Sequence, residues 1–149
     1  ILSHSTFIIE MDNWRLIIDT PRSGSFNMAA DQVLLDTCRE YAEPVFRLYD
    51  WECPTLSLGK NEKLDSLLDL QECQNLSVPV VRRMTGGKSV LHGFDLTYSF
   101  VAGVQESQFP GGILDNYQFL STGFKKFFQK LGLNPVLLKK SLQNKKTET

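Results

Sequence analysis

The side chains best suited to chemistry crowd into one stretch of this 149-residue chain: Arg82, Arg83, Thr85, Gly86, Gly87 and Lys88, with His92 just beyond. Gly87-Lys88-Ser89 is spelled like the end of a phosphate-gripping loop, G-x-x-x-x-G-K-[ST]. That motif needs a glycine where Arg82 stands. It also needs a helix to follow, because the free N–H groups of the helix N-terminus hold the phosphates. The residues after Lys88 run Ser-Val-Leu-His-Gly-Phe-Asp-Leu-Thr-Tyr-Ser-Phe, rich in β-branched and aromatic types and without a helical stripe. A strand follows, and the phosphate-loop reading fails.

Other chemistry remains open to the same residues. Alternation along the apolar strand that ends in Arg82-Arg83 sends one arginine to each face. Gly86-Gly87 lets the backbone approach a ligand closely. Thr85 adds a hydroxyl, and His92 lies one strand further on. Forked guanidinium hydrogen bonds and loop N–H groups suit an anionic or carbonyl-bearing ligand. The competing reading is a Gly-Gly hairpin with solvated Arg and Lys, Thr85 as a turn residue and His92 as a satisfied core histidine. Cys38, Cys53 and Cys73 lack C-x-x-C spacing and read as reduced thiols, with no metal site. None is assigned as a nucleophile, since a reactive thiolate needs a partner that the sequence does not show.

The elements that must position these residues follow from periodicity. "WRLIIDT" alternates as a strand, and "PRSGS" is a turn cluster. "FNMAADQVLLDTCREY" sets Phe26, Ala30, Val33, Leu34, Thr37 and Tyr41 on one helical stripe, with Ser25 or Asn27 as its cap. "VFRLYDW" and "TLSLGK" read as strands of a hairpin, "EKLDSLLDLQEC" as a short helix, and "VPVVRRM", "SVLH" and "LTYSFVAG" as strands. Residues 114–131 form a strongly amphipathic helix, and "PVLLK" reads as a last strand. This pattern predicts an α+β fold, a mostly antiparallel sheet flanked by helices.

Composition narrows the class. The formal net charge is −1, with 22% charged and 11% aromatic residues, so no basic field advertises nucleic acid. The start lacks the pattern of a signal peptide, and no apolar run approaches the ~18 residues of a membrane span. A cytoplasmic protein is expected, with residues 1–138 as one domain and 139–149 as a polar, disordered tail. The chain does not begin with Met, and both ends read as places where a longer protein was cut.

Three segments in order, "FNMAADQVLL", "VFRLYDWECPTLSLGKNE" and "VRRMTGGKSVLHGFDLTYSF", resemble the lipoate-protein ligase and octanoyltransferase family, whose catalytic domain is shared with biotin protein ligases. The resemblance runs from about Trp14 to about Leu133. "WRLIID", "FNMA", "PTLSLG" and "VLHGFDLTYS" are closest to the transferases that use octanoyl-acyl carrier protein. Many ATP-dependent ligases instead have a third glycine at the position of Lys88, and Asn-x-x-[FS] in place of Leu-Thr-Tyr-Ser.

The resemblance implies an incomplete biotin/lipoate protein ligase-like catalytic domain. In it Arg83, Thr85, Gly86 and Gly87 line the acyl pocket, and His92 closes it near the reacting carbonyl. Asn27 fixes the loop that meets this site, unless it is only a helix cap. Val90, Leu91 and "LTYSF" supply the apolar wall. Arg82 and Lys88 are weaker candidates that could face solvent. The implied reaction moves an octanoyl or lipoyl group from octanoyl-acyl carrier protein, or from lipoate, onto a lysine of the lipoyl domains of 2-oxoacid dehydrogenases or of glycine-cleavage H protein. No cofactor is expected for the transferase; ATP and Mg belong to the alternative, a lipoate ligase. A non-catalytic acyl-binding or partner-binding module is the remaining alternative. The family's catalytic lysine, in a K-x-x-G-x-A-like stretch, and its acyl-carrying cysteine are expected beyond the chain end, so this chain is expected to be inactive or very weak alone. No catalytic residue is therefore assigned.

Overall fold

The computed structural model describes residues 6–11, 14–41, 43–63, 68–103 and 112–137. The chain divides into two units, Ile1–Gly103 and Val104–Thr149.

The first unit holds two sheets. One has the order β1-β2-β3-β7, built from β1 (Thr6–Met11), β2 (Trp14–Asp19), β3 (Val45–Tyr49) and β7 (Thr97–Val101). The other has the order β5-β4-β6, built from β4 (Thr55–Leu58), β5 (Val80–Arg82) and β6 (Val90–His92). Antiparallel pairing joins β1 to β2, β3 to β7 and β4 to β6, while β2–β3 and β4–β5 are parallel. The parallel β2–β3 step is made possible by helix α1 (Gly24–Tyr41), which carries the chain across between them. A shorter helix, α2 (Leu70–Asn75), precedes β5, its N-terminus capped by Asp69, whose side chain accepts from the Glu72 N–H at 3.0 Å.

Three sequence expectations change. Strand β1 was not anticipated, although it pairs with β2 along its whole length from Thr6–Asp19 to Met11–Trp14. The hairpin expected between β3 and β4 does not form. The Trp51–Pro54 link instead hands the chain from one sheet to the other, because Trp51 is buried beside β7, with its indole N–H on the Thr97 hydroxyl at 2.8 Å. The apolar stripe expected on α1 is also displaced. Phe26 and Val33 are 46% and 62% exposed, whereas the buried face carries Gly24, Asn27, Asp31 and Cys38.

The reason for that displacement lies on β3. Val45, Arg47 and Tyr49 alternate onto its buried face, and Arg47 is 1% exposed. Its guanidinium donates to Asp19 at 2.7 Å, to Asp31 at 2.9 Å and to the Asn27 side-chain oxygen at 2.8 Å. Asp31 also receives the Tyr49 hydroxyl at 3.2 Å and the Ser99 hydroxyl at 2.8 Å. A buried arginine is tolerable only when its charge is paired and its donors used, so α1 must turn polar residues inward to meet it. The other face of β3 is apolar: Phe46 stacks on Tyr98 at 5.7 Å, and Phe100 stacks on Trp14 at 5.2 Å.

The second unit contains helix α3 (Ile113–Lys130), close to the expected span, with Asp115 in its first turn and Lys130 in its last, as the helix dipole favours. Residues 133–137 form no strand, so the expected "PVLLK" strand is not present among the described residues. The expected polar tail, 139–149, lies outside them.

Candidate functional site

Strand β4 supplies the floor of the site. Thr55 and Ser57, at 0% and 1% exposure, share one face of this central strand. Antiparallel pairing sets Thr55 opposite His92 and Ser57 opposite Val90. Diagonal neighbours on one face of a sheet are within side-chain reach, and the Ser57 hydroxyl lies 2.9 Å from His92 Nε2. His92 Nδ1 lies 2.8 Å from Asp95 Oδ2. Asp95 further accepts the Gly93 N–H at 3.0 Å and the Thr97 hydroxyl at 2.9 Å. Burial pushes the Asp95 carboxyl upward. The hydrogen bonds from His92, Gly93 and Thr97 outweigh that, and hold it below the usual carboxylate range. The His92 ring is stacked on Trp51 at 4.0 Å and 14°.

Arg83 closes the arrangement. Its Nη1 donates to the Ser57 carbonyl at 3.1 Å and to the Ser57 hydroxyl at 3.2 Å. Its Nη2 donates to the carbonyls of Gly86 and Lys88 at 3.0 and 2.7 Å. One side chain therefore ties the glycine loop to β4. In a trans peptide the C=O and the following N–H point in opposite directions. Drawing the Gly86 carbonyl toward Arg83 thus turns the Gly87 N–H away from it.

The loop is pinned from its other side too. The Lys60 N–H donates to the Thr85 carbonyl at 2.8 Å. Arg82 takes the opposite direction to Arg83 and binds the carbonyls of Gly59 at 2.7 Å and Glu62 at 2.8 Å. The Glu62 carboxylate accepts the Gly59 N–H at 3.1 Å. That bond, with the Ser89 N–H and the charges of Lys88 and Arg83, holds the Glu62 carboxyl low in spite of its desolvation. Gly59 is where strand and loop meet: a Cβ there would lie 1.9 Å from the Gly87 carbonyl oxygen. Gly87 needs its glycine conformation, with φ +102°, whereas a Cβ at Gly86 would meet nothing within 4 Å.

The structure thus brings Arg83, Gly86, Gly87 and His92 together. Thr85 is exposed on the loop, and so is Lys88. Asn27 is not in this cluster and is not the helix cap; the Ser23 hydroxyl accepts the Phe26 N–H at 3.3 Å instead. Asn27 is fully buried, and its amide donates to the carbonyls of Arg22 and Asp50. One link to the site runs through Asp50, the residue before the Trp51 that stacks on His92. Val90 and Leu91, expected as acyl wall, are 46% and 67% exposed and point to opposite faces of β6; Phe94 and Leu96 beyond them are exposed too. Cys53 and Cys73 are half-buried and Cys38 is buried, and none of the three is in a disulfide.

Sequence reasoning missed Ser57, Asp95, Trp51 and Thr97. Two signals were present: polar Thr55 and Ser57 at strand spacing inside "TLSL", and an acid three residues after His92.

Comparison with known proteins bears on this architecture. Residues 23–141 match the family model described as the lipoyl protein ligase A/B catalytic domain. The chain belongs to that family. An octanoyltransferase LipM from Carboxydothermus hydrogenoformans is 43% identical over 124 residues, covering 83% of this chain and 46% of that protein. The LipM of Brevibacillus brevis is 34% identical over 137 residues, covering 91% and 50%. The chain spans about half the length of the curated relatives it matches. Among solved structures, a lipoate-protein ligase A bound with ATP superimposes with a TM-score of 0.71 at 21% identity, over 87% of this chain and 51% of that one. A bipartite lipoate protein ligase from Thermoplasma acidophilum, described with its E2 lipoyl domain, gives a TM-score of 0.70 at 19% identity, over 87% and 49%. These two likenesses establish the fold. No helix among the described residues is long and apolar enough to cross a membrane, and none of their His, Cys, Asp and Glu clusters could hold a metal ion.

Proposed function

We propose that this chain carries the acyl-binding loop of an octanoyl or lipoyl transferase acting on a lysine of lipoyl domains, in the cytoplasm. The observation that carries this reading is its 43% identity, over most of its length, to a protein named as an octanoyltransferase. The site chemistry supports it. The Gly87 N–H and the Lys88 ammonium offer donors to an acyl carbonyl, and Val90, on the same face of β6 as His92, begins the surface an eight-carbon tail requires. Each methylene so buried contributes roughly 0.8 kcal/mol. Arg83, Thr85, Gly86, Gly87 and His92 are the residues assigned to this pocket, with Asn27 acting on it from the core.

The donor is octanoyl-acyl carrier protein, and the acceptor is a lipoyl domain of a 2-oxoacid dehydrogenase or the glycine-cleavage H protein. No K-x-x-G-x-A stretch occurs within the 149 residues, so the catalytic lysine and the acyl-carrying cysteine are not assigned here. On this reading the segment binds acyl groups but turns over very slowly by itself.

An ATP-dependent ligase is the second reading, favoured by the likeness to a ligase bound with ATP. Lys88 at the position of the ligases' third glycine argues against it. The test supplies octanoyl-acyl carrier protein and an unmodified lipoyl domain without ATP, and follows the lysine by mass spectrometry. Octanoylation above the enzyme-free background, however slow, supports the transferase. Pyrophosphate release with lipoate and ATP supports the ligase, and acyl binding with neither product above background, even on long incubation, supports a binding module.

A further inference from the structure

Ser57, His92 and Asp95 are spaced like a nucleophile, base and acid, with hydrogen bonds of 2.9 and 2.8 Å in series. Two observations speak against a nucleophilic serine. Ser57 is 1% exposed within the central strand of its sheet, so a carbonyl carbon cannot reach its oxygen. Its hydroxyl also already accepts from Arg83.

The carboxylate sets the direction of the whole series. Asp95, fixed by the Gly93 N–H and the Thr97 hydroxyl, can only accept, so the hydrogen of His92 sits on Nδ1 and is donated to it. Nε2 of the neutral ring is then the bare nitrogen, and the Ser57 hydroxyl donates to it while its oxygen accepts from Arg83. Thr97 in turn receives the Trp51 indole N–H, and the Trp51 ring covers His92.

We infer that Arg83–Ser57–His92–Asp95 is a positioning relay, in which Ser57 and Asp95 lock the guanidinium that shapes the Gly86–Lys88 loop. The guanidinium has several ways to donate, and only one of them grips both loop carbonyls and the β4 hydroxyl. Ser57 selects that pose, and it is held in register by a histidine whose tautomer Asp95 dictates. Loop geometry at the acyl site is thereby set by a residue on β4 and another past β6, neither of which touches the ligand. The inference deepens the acyl-loop reading, but its test uses no acyl donor, so either can fail without the other.

Long-range proton–nitrogen NMR on the protein reads the tautomer directly. The wild type should show the hydrogen on Nδ1. Asp95→Asn, which can donate where the carboxylate accepted, should shift it toward Nε2, and Asp95→Glu should restore it. Hydrogen exchange reads the loop: Ser57→Ala and Asp95→Asn should speed the Lys60 amide, which donates to the Thr85 carbonyl, and the Ser89 amide, which donates to Glu62, by about tenfold, the scale of one lost charge-assisted bond. The β1–β2 amides should stay at wild-type rates in both variants, which separates local release from global loosening. A wild-type His92 protonated on Nε2, or unchanged loop exchange in Ser57→Ala, would overturn the relay. So would covalent labelling of Ser57 by a fluorophosphonate, since that reagent requires an accessible nucleophile.

Discussion

Arg83 on the residue after β5 and Ser57 on β4 are joined twice, through the serine carbonyl at 3.1 Å and its hydroxyl at 3.2 Å. The same guanidinium holds the carbonyls of Gly86 and Lys88. Its role in the folded chain is to shape the glycine loop, and on the proposed reading an acyl ligand meets what that loop presents.

A lysine cannot replace such a residue. Arg83→Lys keeps the charge but loses the planar fork that spans several carbonyls. Octanoate binding followed by calorimetry should weaken about tenfold or more in Arg83→Lys, close to the loss in Arg83→Ala. If lysine restored wild-type affinity, charge alone would suffice and the loop-shaping role would be wrong.

The glycines separate into one that is needed and one that is not. Gly59→Ala places a methyl 1.9 Å from a carbonyl oxygen of the loop, and neither strand nor loop can yield without breaking the bonds between them. Gly86→Ala enters open space. Thermal unfolding should show Gly59→Ala losing on the order of 1–3 kcal/mol, as overpacking does, and Gly86→Ala staying within about 0.5 kcal/mol of wild type.

The buried Arg47 pairs should dominate stability. Arg47→Ala strands Asp19 and Asp31 without their cation, and breaking a buried pair from one side costs about 3–5 kcal/mol. Asn27→Ala leaves an Arg47 donor and the Asp50 carbonyl unmatched, at about 1–3 kcal/mol. Urea titration measures both. Arg47→Ala at wild-type stability would mean that this network contributes little.

Stability should fall at both ends of the pH scale for separate reasons. Asp95 is held below its ordinary value in the fold, so its contribution is complete above the ordinary carboxylate range and disappears as pH drops through the folded value. Tyr49 is held high by burial first, then by the adjacent Asp31 carboxylate and its hydrogen bond. Its contribution is complete below about 10, the ordinary tyrosine value, and is lost as pH rises beyond that. Urea midpoints from pH 3 to 11 should show Asp95→Asn flattening the acid limb and Tyr49→Phe flattening the alkaline one. The opposite assignment would refute both attributions.

The sequence alone determined the local elements, the loop and the family. Strands β2 to β7 and helices α1 and α3 were visible because periodicity is a short-range property, written where each element lies. Gly87 and the arginine pair were visible because turn chemistry and charge are properties of residue type. What the sequence withheld was every decision between distant segments. Asn27 reads as a cap until Arg47, buried on a strand twenty residues away, makes a helix core out of polar groups. "VFRLYDW" and "TLSLG" read as a hairpin until Trp51 is buried against Thr97 and parts them into two sheets. Ser57 and Asp95 carry only faint signals, a polar residue at strand spacing and an acid near a histidine, since their meaning comes from a histidine between them in space and separated from Ser57 by thirty-five positions in the chain. A buried charge or hydroxyl must find its partner wherever the fold places one, and only the tertiary structure makes that choice.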